Sequence, residues 1–600
     1  MKTSNLIIGL VLTTCFHVSG PMAAGRTLVV NNRAPEASDT SDGGEDSPLK
    51  TIQAAAERAM PGDTILVKAG IYREWVVPPR GGTREQPIHY LAAPGEEVSI
   101  RGSERITSWV NQGGEVWMVE LDNAFFGTFN PFNEQVSGSW LYYGEHHHLG
   151  DVYLNGAVYH EKRSPEEVEA EPGTWHATVD ASTTRIRANF GAANPNEELA
   201  EIHARECVIF PQIKGLEHII IDGFDIRHAA SNWAPPDVFQ KGAVGPYFGY
   251  GWIIQNCTIS DVKNVAICLG ATEEHHWDNR ALPAIDSFGH HVVRDNIIRR
   301  CGQAGIAGAY GCVRSVIEGN LIEDIAWREQ HGGAEIGGIK LHFPIDAIIR
   351  GNHIRRVQTT RGGPAGIWLD WGAQNTRVTG NVVYDCDAHP LKLEVNHGPV
   401  LVDHNVFSGS EIRVWSDGTI FAHNLFHHTS VVHKASRREV PWYEPHSTVE
   451  AGRGTIVLRD EQWHSNLFIA GSGLQNAPPD RPGFVIDHNV YLDGARPHPM
   501  LDKRSLTGPT PTGSRLRPEP AEVVIRFHLD EAVVAPAHPR LSSAVIGRLP
   551  VPDMTVETPD GRPLDIDTDY FGKEIPAARA AAGPFQEIQA GTNTFRLWPK

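Results

Sequence analysis

From about residue 216 short apolar runs recur along the chain, each interrupted by a turn that carries Gly or Asp followed by Asn. The pattern reads IIQNCTI around Asn256, VRDNII around Asn296, IEGNLI around Asn320, IRGNHI around Asn352 and VTGNVV around Asn381. It continues as VDHNVF around Asn405, FAHNLF around Asn424, WHSNLF around Asn466 and IDHNVY around Asn489. Several successive Asn-to-Asn spacings fall between nineteen and thirty-two residues. A strand-rich repeat of that length, without helical periodicity, predicts an all-β solenoid whose rungs bury their inward faces only by stacking on one another. The asparagines are expected at the bends, where left-handed backbone and local hydrogen bonds are tolerated.

Departures from the repeat divide the chain. Residues 25–104 read as an N-terminal cap and first rungs: Ser47 is a candidate N-cap, Ile52, Ala55, Ala56 and Met60 form the apolar stripe of a helix, and a Pro-Gly-Asp turn leads into TILVKAG. Such a helix can cover the open end of the solenoid and protect its edge. Residues 105–205 lack the Asn repeat and show short strands between Gly, Asn and Pro turns, which predicts an inserted antiparallel β-sandwich. The main solenoid is expected over 206–515. Within it, residues 433–455, with HKASRREVPWYEPHST, read as a long loop over a carbohydrate site, and 516–600 return to strands packed along the solenoid.

The 600 residues carry a formal charge of -19 without a Lys/Arg-rich run, which argues against a nucleic-acid partner. Lys2, an apolar run from Leu6 to Leu12 and small residues at Ala23 and Ala24 read as an export signal over 1–24, too short to span a bilayer, so a secreted or periplasmic protein is expected. Six cysteines remain beyond it, none in a C-x-x-C pair. Small buried side chains are the favoured reading, with a disulfide between rungs left open. The histidines at 146–148 and 275–276 lack an acid cluster and are not read as metal ligands. Nothing in the pattern calls for a cofactor or indicates structural calcium, and self-association stays open.

The candidate chemistry sits where acids replace the outward members of strand alternation. In GIWLDW, Ile367 and Leu369 alternate with Trp368 and Asp370; in LKLEVNHGP, Leu391 and Leu393 alternate with Lys392 and Glu394. A period of two points both carboxylates out of the core. Stacking the segments in register adds Lys340 and His342 from GGIKLH before them and Glu411, Arg413 and Trp415 from EIRVW after them. Two carboxylates on adjacent rungs lie about 5 Å apart, the separation of retaining rather than inverting glycosidases. Trp368, Trp371 and Trp415 are candidate sugar platforms. Glu335, Lys340, His342, Asn396, His397, Arg413, Tyr443 and His446 complete the expected substrate-binding set.

The segments GIWLDWGAQNTRVTGNVVYD and LKLEVNHGPVLVDHNVF, followed by PWYEPHST, resemble glycoside hydrolase family 120. The resemblance implies a right-handed parallel β-helix with an inserted β-sandwich, and β-xylosidase activity on short xylo-oligosaccharides with retention. It also implies Asp370 as nucleophile and Glu394 as general acid/base, with Glu335 a candidate for a further family acid. The competing expectations are a lyase acting on uronate-containing glycan, for which Lys340, Lys392 and Arg413 could neutralise a carboxylate, a retaining glycosidase of other sugar specificity, and a non-catalytic carbohydrate-binding solenoid.

Overall fold

In the computed structural model the described residues are 25–234, 239–270, 282–359, 361–478, 481–502, 504–508, 510–519, 522–577 and 579–599. The export signal and the histidine pair at 275–276 lie outside them. The repeat folds as a parallel β-helix of three sheets, two of thirteen strands and one of seven. One turn shows the plan: Ala365–Asp370 in the seven-stranded sheet, Thr376–Thr379 in the second, Val382–Cys386 in the third, then His389–Glu394 back in the first. Inward residues such as Ile367, Val378, Val383 and Leu391 are fully buried in one continuous core.

The bends correct one expectation. The left-handed residue is the one before each repeat asparagine: Asp295 (φ 55°), Gly319 (φ 65°), Gly351 (φ 63°), Gly380 (φ 62°), His404 (φ 52°) and their successors. The asparagines themselves turn inward and stack. Asn381 donates its backbone N–H and its side-chain amide to Asn405 Oδ1, each at 2.9 Å, and the same relay runs from Asn296 to Asn489. A buried amide stacked on its own kind satisfies both its donor and its acceptor, which an isolated bend residue would leave to solvent. In IIQNCTI the frame shifts by one: Asn256 takes the left-handed position (φ 55°) and Cys257 enters the column, donating to Asn296 Oδ1.

A helix spanning Ile52–Arg58 caps the N-terminal end. Its N-cap is Thr51, whose hydroxyl accepts from Ala54 N–H, rather than Ser47; Met60 falls beyond the helix and is half exposed. Over the insertion, a five-stranded and a four-stranded sheet enclose their own core around Phe132, Trp175, Ile186 and Ile202. The C-terminal antiparallel strands Arg515–Pro518, Val523–Leu529 and Gly591–Trp598 lay Ile525, Phe527 and Leu597 on outward apolar residues of the third sheet. All six described cysteines are buried free thiols.

Successive strands of the seven-stranded sheet carry the acids and are named here β1 (Gly337–His342), β2 (Ala365–Asp370), β3 (His389–Glu394), β4 (Glu411–Trp415) and β5 (Ser430–His433). The segment after β5 is not an irregular loop. It forms a hairpin, β6 (Ser436–Tyr443) against β7 (Glu450–Ile456), because alternating Val440, Ile456 and Leu458 bury with Val395 at the corner that follows Glu394.

Candidate active site

Parallel register sets two columns on the outer face of the sheet. Lys340, Trp368, Lys392 and Arg413 are successive partners, and beside them run His342, Asp370, Glu394 and Trp415. Asp370 and Glu394 are therefore neighbours across one strand spacing, about 4.8 Å. Both are almost fully buried, as are Lys340, Lys392, His342 and Glu335.

Buried charges persist only when paired. Lys340 Nζ lies 2.7 Å from Asp370 Oδ2, 2.9 Å from Glu335 Oε2 and 2.9 Å from His342 Nε2. Lys392 Nζ lies 2.7 Å from Glu394 Oε2, and Arg438 from β6 bonds Glu394 Oε1. Trp368 separates the two lysines and offers a face to each, with Nζ 3.5 and 3.4 Å from its ring centroid. Burial opposes the charged forms throughout, and the partners decide the outcome. Lys340 and His342 hold the Glu335 carboxyl below its usual range, while Asp370 and Glu335 hold the Lys340 ammonium above its own. For Lys392 burial wins over Glu394, and its ammonium is lowered. Asp370 Oδ1 and the indole N–H groups of Trp368 and Trp415 are buried without a hydrogen-bond partner among the described residues, which leaves one acceptor and two donors for an incoming ligand.

Glu335 reaches the pair because the insertion braces its segment. Gly332–Gly333 pairs with Leu141–Tyr143 of the insertion, and Ala334 donates to Trp140 O at 3.0 Å. A Cβ on Gly333 would come within 1.9 Å of that carbonyl, so the glycines of HGGAE are required by close approach. Arg328, just upstream, is clamped by Asp151 of the insertion at 2.9 and 3.0 Å, with Lys263 Nζ a further 3.1 Å contact on the same carboxylate.

The other expected residues divide by position. Trp371 follows Asp370 in the left-handed region (φ 57°) and lies under Arg438, 5.5 Å from ring centroid to guanidinium. Arg413 pairs with Glu411 on the rim beside Trp415. Asn396 instead locks the corner, accepting from Ala373 N–H and donating to Leu369 O and Ser416 Oγ. His397 anchors the hairpin through Gly454 O at 3.2 Å and an edge contact with Trp442. Tyr443 is buried beneath the hairpin, its backbone tied to Gln374. His446 is bound by Asp346 and by Glu557 of the C-terminal tail at 2.9 and 2.8 Å. These four shape the wall; the structure does not bring them to the acids. Arg438 escaped the sequence reading because its face on β6 follows a register shift between Ser436 and Glu439 that no alternation reveals. The arginine pair in SRREV was the available signal.

Of the histidine run, His147 and His148 both bond Glu161 and His146 meets Arg163. An open cleft of about 830 Å³ lies at the asparagine bend between Arg294, Arg350, Tyr570 and Trp598. Its acids, Asp295, Glu318 and Asp569, are not register partners, since Glu318 faces Arg294 and bonds Arg350.

Comparison with known proteins agrees with this anatomy. A family model described as "Glycoside hydrolase 120, insertion domain" matches residues 106–173, and one described as "Right handed beta helix region" matches residues 246–430. A solved structure, "The complex structure of XylC with xylose", is 32% identical, covers 95% of this chain and 100% of its own, and superposes with a TM-score of 0.87. An "Uncharacterized protein YwoF" of Bacillus subtilis (strain 168) is 32% identical over 69 residues, a stretch covering 12% of this chain and 15% of that relative.

Proposed function

Because this chain belongs to glycoside hydrolase family 120, we propose that it is an exported, retaining β-xylosidase that releases xylose from the non-reducing end of short xylo-oligosaccharides by double displacement. The observation that carries this reading is the register pairing of Asp370 with Glu394. One strand spacing matches the roughly 5 to 5.5 Å between carboxyl groups of retaining enzymes and is too short for the water that inversion inserts. The xylose in the XylC structure supports the choice of sugar. The apolar run after Lys2 supports export, and among the described residues no helix is long and apolar enough to cross a membrane.

In this mechanism Asp370 attacks the anomeric carbon with Oδ1 while Lys340 keeps hold of Oδ2. Glu394 gives a proton to the departing oxygen, then takes one from the water that hydrolyses the glycosyl-enzyme. Arg438, whose side chain is 42% exposed, occupies Glu394 in the ligand-free site and has room to withdraw as the leaving group arrives. Trp368 and Trp415 can donate to sugar hydroxyls through their unpartnered indole N–H groups.

The test is hydrolysis of 4-nitrophenyl β-xyloside by the wild type and two variants. Asp370→Ala is expected to be folded and inactive, and Glu394→Gln to lose about 10² to 10⁴ in kcat. Full activity in either purified variant rejects the assignment. A nitrophenyl series of arabinoside, glucoside, galactoside and fucoside tests the sugar, with xyloside expected to be cleaved fastest.

A further inference from the structure

If Asp370 is the nucleophile and Glu394 the acid/base, the leaving group extends from Glu394 toward the rungs that follow, since Glu394 lies one rung C-terminal to Asp370. The two sides of the pair differ in charge. On the Asp370 side, Glu335 and Asp370 share Lys340, an excess of one carboxylate. Beyond Asp370 the balance reverses. Lys392, Arg413, Lys434 and Arg438 gather around Glu394 and Trp415, and among the described residues only Glu394 and Glu411 pair with them. Lys434 follows β5 and holds its ammonium 4.5 Å from the Trp415 ring; it is exposed and forms no ion pair among the described residues. Arg437 and Glu439, exposed on either side of Arg438, offset one another.

An excess of two positive charges on a protein of formal charge -19 is not what a neutral xylose leaving group needs. Packing cations around one indole costs mutual repulsion, which an anion placed among them relieves. Trp415 adds a buried indole N–H with no partner, so the same spot offers a neutral donor as well as charge. We infer that the leaving-group side of this site takes a sugar bearing a carboxylate, a uronic acid, held by Lys434 and Arg438 beside Trp415. Arg438 then has two carboxylates to serve in turn: Glu394 in the empty site, and the uronate once substrate displaces it, freeing Glu394 for the leaving oxygen.

The inference rests on the hydrolase reading above, and the experiment separates the two. β-Xylosyl-(1→4)-glucuronic acid and its methyl ester differ only in the charge of the leaving sugar. The acid is expected to be cleaved with kcat/KM about tenfold above the ester at low salt, the size of one charge-assisted hydrogen bond. The ratio should shrink toward one near about 0.5 M NaCl, where screening is short-ranged. Lys434→Gln and Arg438→Gln should each lower the acid-to-ester ratio several-fold. A ratio at or below one, or a ratio that neither variant changes, overturns the inference while leaving the hydrolase reading intact. Failure to cleave either compound or 4-nitrophenyl β-xyloside overturns the hydrolase reading. An unsaturated product absorbing in the near ultraviolet overturns the hydrolase reading and, with it, the uronic acid as leaving group, because the cations would then serve elimination.

Discussion

Lys340 is the residue on which the acid cluster depends. Its ammonium is the shared counter-charge of Asp370 and Glu335, and all three are almost fully buried. Lys340→Met keeps the length of the side chain and its contact with Trp368 but leaves two close carboxylates with His342 alone. Removing one partner from a buried ionic group costs on the order of 3–5 kcal/mol, so a large fall in melting temperature together with loss of turnover is expected. A variant that keeps wild-type stability and activity would show that the carboxylates are neutralised otherwise. The sequence made this cluster legible by parity alone: one alternation in GIWLD and one in LKLE fix which side chains leave the core. What parity did not carry was contact across elements. Arg438 stands forty-four residues from Glu394 and arrives on a hairpin, and the roles of Asn396 and His397 as corner and hairpin anchors depend on Ser416 and Gly454, which no local pattern ties to them.

At the scale of the element, the asparagine column ties each bend to the next at the spacing that the strand ladder sets. Asn381 and Asn405 belong to the turns that carry β2 and β3. Asn381→Ala leaves the backbone N–H of buried Asn352 without its acceptor and takes the side-chain amide from the Ile349 carbonyl, while Asn405 Oδ1 keeps the backbone N–H of residue 381. An unsatisfied buried group costs about 1–3 kcal/mol, and a thermal melt should register a drop of that size; an unchanged melting temperature would mean the column contributes nothing to stability. The repeat itself was plain in the sequence because a solenoid writes its period directly into the chain. The position of the left-handed residue was not, since Asn tolerates that conformation as readily as the Asp, Gly or His that actually adopts it. Likewise β6 and β7 read as a loop because their pairing is antiparallel and off the solenoid period.

For the whole molecule, the C-terminal tail is tied to the solenoid beside the hairpin through His446. Hydrogen bonds to Asp346 and Glu557, outweighing partial burial, raise its pKa to about 9. The sign is that of a cation stabilised in the folded state. The contribution is complete below the ordinary histidine pKa near 6.5 and is lost as pH rises through about 9. The melting temperature should therefore fall between those pH values in the wild type and fall less in His446→Gln; parallel profiles would assign the alkaline loss elsewhere. Glu335 acts with the opposite sign. Its carboxyl is held low by Lys340 and His342 against burial, so its contribution is present above the ordinary glutamate pKa and is lost as pH falls toward the depressed value.

Both the rung register and the braced insertion serve the proposed geometry, in which two carboxylates one strand spacing apart act on a glycosidic bond. The stereochemistry of the first product measures that geometry directly. Proton NMR of fresh hydrolysis of a β-xyloside, read before mutarotation, is predicted to show β-xylose appearing first. Initial release of α-xylose would mean single displacement and would contradict the account.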